Sequence, residues 1–123
     1  MTPDELEDRL VDFAVLIIKI SGDLQNSNAA KNMSNQIVRS GTSPALNYGE
    51  ARSAESRRDF VHKVKIVLKE LRETRISLKI INKANLYKGD VDILEKAAKE
   101  CEELISIFVS SSKTAQKAIP KYK

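Results

Sequence analysis

The chain has 123 residues, 41% hydrophobic and 31% charged with a formal net charge of +4, which is enough for one domain over residues 1–123 to bury its own core without a disulfide or metal staple. A single cysteine, Cys101, and a single histidine, His62, exclude an intrachain disulfide and a four-ligand zinc site. The longest apolar run, Phe13 to Ile18, is about six residues against the roughly 20 a membrane helix requires, and the acidic start Asp4, Glu5, Glu7, Asp8 is wrong for a signal peptide, so a cytoplasmic protein away from membranes is expected.

The hydrophobic period is helical throughout, and no convincing period-two stretch is present, so the fold class is all-α. The first helix opens with Thr2 as N-cap, Pro3 behind it and Glu5 three residues on, a capping box with carboxylates at the positive helix end. Its seam is Leu6, Leu10, Phe13, Ile17, Ile20, and Gly22 is the expected stop. Asn26 or Ser27 caps a second helix that turns Met33 and Ile37 inward. Pro44 lacks an N–H and its ring would clash with the Ser40 carbonyl, so Ser40 to Pro44 predicts a kink or break. Ser43 would then cap a restarted segment running through Asn47 and Glu50 to about Arg52.

After a turn at Ser53–Ser56, Ser56 caps a long third helix from Arg57 to about Leu86, whose seam Phe60, Val64, Val67, Leu71, Thr74, Leu78, Ile81 alternates four and three. Lys88-Gly89-Asp90 reverses the chain. Asp90 caps the fourth helix, with Leu94, Ala97, Cys101, Leu104 or Ile105, Phe108, Ser112 and Ala115 inward, and Pro120 closing it. Short turns between four amphipathic helices imply an antiparallel up-down-up-down four-helix bundle. Residues 113–123, with Lys113, Lys117, Lys121 and Lys123 as their only charges, read as a basic, frayed C-terminal tail.

Arg39-Ser40, Ser43-Pro44, Asn47 and Glu50, then a turn, Arg57-Arg58, Phe60 and a long helix with Leu71 and Leu78, resemble the bacterial 23S rRNA-intervening-sequence proteins. The usual Ile between Ser and Pro is missing, and Ala51 replaces the closing Gly. The resemblance implies a four-helix bundle that assembles into a homo-oligomeric ring, commonly a homopentamer, and cytoplasmic residence; it gives Ser43, Pro44, Asn47 and Glu50 a structural role. The chain is also similar to the accessory proteins of phage diversity-generating retroelements, which are basic partners of a reverse transcriptase and RNA.

The third helix carries the candidate surfaces. Charge is zoned along the chain: residues 1–23 hold six acids and two bases, 52–88 eleven bases and four acids, and 90–112 six acids and two bases. At about 100° per residue, Ile66, Ile76 and Ile80 fall away from the core seam, with His62, Lys69 and Glu73 completing the stripe. An apolar triplet on an outward face suits a subunit interface. Beside it, Arg58, Lys65, Arg72 and Lys79 recur every seven residues and Lys83 continues the line, a ridge able to follow a phosphate backbone. The scattered Tyr48, Tyr87 and Tyr122 offer no base-stacking platform.

Enzyme signatures are weak. A di-iron bundle requires two Glu-x-x-His pairs, whereas this chain has only Asp59-x-x-His62 with His62 outward. Cys101 sits on a core seam, and no glycine-rich phosphate loop is present. The sequence therefore points to a non-enzymatic, ring-forming interaction module with no cofactor and no small-molecule substrate, its basic face binding RNA or a ribonucleoprotein; a purely structural homo-oligomer that docks another protein is the alternative.

Overall fold

The computed structural model describes residues 1–119. Its elements are α1 (Pro3–Gly22), α2 (Asn28–Arg52), α3 (Arg57–Lys83) and α4 (Val91–Lys117); among the described residues there is no strand, only an isolated bridge between Leu24 and Tyr87. The chain is all-helical, a four-helix bundle.

Local chemistry sets the helix starts. Thr2 accepts from the Glu5 amide while Glu5 accepts from the Thr2 amide, closing the expected capping box. Ser27, Ser56 and Asp90 cap the other three, each side chain accepting a first-turn N–H that has no helical partner. The seams then meet in one core. Leu10, Phe13, Ile17, Ile37, Val64, Val67, Leu71, Ile81, Leu104 and Phe108 are almost fully buried, and Tyr48 sets its ring edge-on to Phe108 with centroids 5.5 Å apart. α1 packs on α2, α2 on α3 and α3 on α4, while α4 returns to α1 along a much shorter line.

α2 has no break or restart. It runs unbroken from Asn28 to Arg52 with Pro44 inside it, so Ser43 is an interior residue and caps no restarted segment. Packing overrides the local preference here. Pro44 is buried, and Gly41 lies so close to α1 that a Cβ there would collide with Ile17. Polar side chains hold the segment together: Thr42 donates to the Val38 carbonyl at 2.7 Å, and Asn47 Nδ2 reaches the Ser43 carbonyl and hydroxyl at 3.0 and 2.8 Å. Ser40, fully buried, meets the Thr74 hydroxyl of α3 at 2.9 Å.

α1 ends at Gly22, as expected, but the left-handed helix stop lies elsewhere. Neither Gly22 nor Gly89 adopts positive φ; Asn85 does, at 54°. α3 stops at Lys83, three residues earlier than expected, because Asn85 takes the left-handed position after the helix. The Leu86 N–H then bonds to the Ile81 carbonyl at 3.1 Å and that of Asn85 to Asn82 at 3.2 Å, the hydrogen-bond pair of a Schellman closure. Leu86 buries itself behind the turn, and its carbonyl accepts from Gln25 N–H at 2.8 Å, tying the α1–α2 and α3–α4 connections together. At the far end, Lys113 and Lys117 belong to the last turns of α4, where cations favour the negative helix end, so this part of the expected tail is helix. Pro120, Lys121, Tyr122 and Lys123 lie outside the described residues.

Candidate interaction surface on the outer face of the third helix

α3 is amphipathic because its apolar residues follow the four-three spacing, and the turns between them carry charge. Val64, Val67, Leu71, Thr74, Leu78 and Ile81 are buried as expected, while Phe60 is half-buried beneath the Arg57 guanidinium, 5.6 Å from its ring centroid. The opposite face presents Arg58, Lys65, Arg72, Lys79 and Lys83, all exposed. The ridge lies where the heptad spacing places it.

Five other cations bind the helices to one another. Arg9 of α1 donates to Glu100 of α4 through Nε and Nη2 at 2.7 and 2.8 Å and to Glu103 at 2.8 Å, and the Glu100 hydrogen bonds in particular raise its pKa. Arg39 of α2 holds Glu70 at 2.8 Å and also Glu73 of α3. Arg52 at the end of α2 reaches Asp4 and Glu7 at the start of α1, at 2.8 and 3.1 Å. Lys63 pairs with Glu50 at 2.5 Å, and Arg75 with Glu102 at 3.1 Å. By contrast Lys65, Arg72, Lys79 and Lys83 make no ion pair among the described residues. Arg58 engages another group and stands apart from them.

The expected interface stripe divides. Ile76 and Ile80 are 49% and 45% exposed, and His62 and Lys69 are exposed beside them. Ile66 is half-buried: it lies one and two turns before Glu70 and Glu73, on the flank that faces α2. Glu73 is engaged within its own chain, the Arg39 hydrogen bond holding its carboxyl below the ordinary range.

The four motif residues have local tasks. Asn47 braces Ser43, Pro44 packs in the core, and Glu50 anchors the α2–α3 corner through Lys63. A second exposed line was not anticipated. Val11, Val15 and Ile18 of α1 are 46%, 44% and 49% exposed, and their four-three spacing, the mark of a second seam, was the available signal.

Features suggestive of chemistry are muted. Cys101 is buried with its Sγ 3.2 Å from the Leu71 carbonyl, and desolvation pushes its thiol up to about 12. A groove of about 600 Å³ between α1 and α4 has Arg9, Lys19, Lys96, Lys99, Glu100 and Glu103 on its walls. Among the described residues no helix is long and apolar enough to cross a membrane.

Fold and surface together define a helical bundle with a cationic outer face on α3. The sequence profile of the 23S rRNA-intervening sequence proteins matches residues 6–110, and the chain belongs to that family. A solved structure from Bacteroides thetaiotaomicron, a protein of unknown function from the S23 ribosomal protein family, is 33% identical over 92% of this chain and 99% of its own, with a TM-score of 0.81. No curated protein matches.

Proposed function

We propose that this protein is a non-enzymatic cytoplasmic module that assembles into a homo-oligomeric ring, a homopentamer in its simplest form, and binds RNA or a ribonucleoprotein along the outer face of α3. The single observation carrying this reading is that Lys65, Arg72, Lys79 and Lys83 line up on one exposed face of α3 and make no ion pair among the described residues. Four positive charges left without carboxylates on one face attract a polyanion through counterion release, and a ring repeats them in every subunit. The cross-helix pairs support the antiparallel arrangement. Arg52 near the end of α2 meets the start of α1, and Glu50 near that same end meets Lys63 at the start of α3.

The test is a titration of labelled RNA against the full chain and an Arg72→Glu/Lys79→Glu variant. The reading predicts affinity at low salt that the double reversal weakens at least 100-fold. Unchanged affinity in the variant contradicts it. A second reading, a structural homo-oligomer that docks another protein, is favoured by the exposure of Ile76 and Ile80 and predicts no RNA affinity at any salt concentration.

A further inference from the structure

A small cleft between α3 and α4 opens beside the basic ridge, and Lys79 belongs to both. Leu78, Leu94 and Ala98 give it an apolar lining, and its volume is about 170 Å³, below the roughly 300 Å³ at which pockets for drug-sized ligands begin. One planar ring system is the size of guest it admits. Its walls differ in chemistry: α3 contributes the donors Arg75 and Lys79, and α4 contributes the acceptors Glu95 and Glu102.

Hydrogen-bonding capacity is left over here. Arg75 donates to Glu102 through Nη1 at 3.1 Å, but its Nε is buried with no partner, the single such side-chain atom among the described residues. A buried donor left unpaired is costly. The ion pair that fixes the guanidinium is solvent-exposed and therefore weak, so a turn of the head presents free N–H donors to a guest. Lys79 and Glu95 make no ion pair among the described residues.

We propose that this cleft is a subsite for one guanine base of a single-stranded RNA whose phosphates lie on the ridge. The proposal rests on the RNA reading of the α3 face and adds a base preference to it. Phosphate contacts along the ridge carry no sequence information, whereas single-stranded bases are read when they leave the stack and meet side chains along their edges. Guanine joins two adjacent donors, N1–H and the N2 amino group, to the acceptors O6 and N7. The donors suit the Glu95 carboxylate, and the acceptors suit Arg75 and Lys79. Adenine N1 and cytosine N3 are acceptors that a carboxylate repels, and uracil offers the single donor N3–H. The apolar lining takes the ring in place of an aromatic platform.

The test uses fluorescence anisotropy at one low salt concentration, with labelled oligouridine and the same strand carrying one central guanosine or one central adenosine. The native chain is expected to bind the guanosine strand about 10-fold more tightly than either other strand, the discrimination of one bidentate pair. Glu95→Gln exchanges an acceptor oxygen for a donor, and Ala98→Phe fills the cleft from an exposed position on α4. Each should bring the affinity ratio to within about two-fold of unity. Lys65→Glu/Arg72→Glu should weaken all three strands and keep the ratio. Equal native affinity for the guanosine strand and either other strand, or a guanosine preference that survives either cleft variant, overturns the subsite and leaves the ridge reading standing. No affinity for any strand overturns both.

Discussion

The cations in the seams between helices and those on the outer face of α3 have the same chemistry and opposite circumstances. Arg9, Arg39 and Arg52 each bind two carboxylates of neighbouring helices, so their charge is spent inside the molecule. Lys65, Arg72, Lys79 and Lys83 meet none. Sequence distance from an acid does not separate the two sets; tertiary contact does. The lesson is that a basic residue's role depends on what holds it and on what stands beside it: the cations of α3 are both unheld and aligned on one face.

The largest expected effect comes from placing a charge of the wrong kind on that face. Ile76→Glu buries an unpaired carboxylate in the expected subunit interface at a cost of several kcal/mol, so the oligomer should fall to single chains by light scattering while circular dichroism keeps its helical signal. An oligomer that survives shows that α3 is not its interface. A seam cation should behave in the reverse way: Arg9→Met removes the clamp on Glu100 and Glu103 and should cost about 1 kcal/mol in urea denaturation, since such pairs are only partly shielded from solvent. RNA affinity should not change. Loss of RNA affinity in Arg9→Met would erase the distinction between the two sets.

Smaller effects sharpen the account of α2. Ser43→Ala should cost about 0.5 kcal/mol or less, below the roughly 1 kcal/mol of a lost N-cap, because Asn47 keeps its bond to the Ser43 carbonyl; a larger loss in thermal denaturation would restore a capping role. Glu73, held by Arg39 with its pKa lowered from 4.5, stabilises the fold fully above that unfolded value and loses the contribution as pH falls through its lower folded value. In a nuclear magnetic resonance titration, Arg39→Met should return Glu73 toward 4.5. No change would mean that the pair does not persist in solution.

The regular parts of the fold were legible from spacing and caps. Every expected seam residue of α1 and α4 is buried, and Thr2, Ser56 and Asp90 cap where their side chains predict. α2 was not, because its continuity depends on contacts with α1 and α3: Ile17 against Gly41, Thr74 beside Ser40. Local rules at Pro44 gave way to that packing. On the candidate surface, heptad spacing located the ridge, but pairing lay beyond its reach. Glu73 falls in the outward stripe on a helical wheel and is held by Arg39, and Lys63 on the same helix is tied to Glu50. The α1 line Val11, Val15, Ile18 is less legible because α1 is apolar on both sides, and only the fold shows which of its two lines enters the core.

The most direct test of the unheld face is the slope of log affinity for RNA against log salt, measured for the native chain and for Arg72→Glu/Lys79→Glu, with Lys31→Glu on exposed α2 surface as control. The account predicts a steep linear fall for the native chain and the Lys31 control, and a shallower slope with far weaker binding for the double reversal. Equal slopes in all three proteins, or binding abolished only by removing residues 113–123, would contradict it.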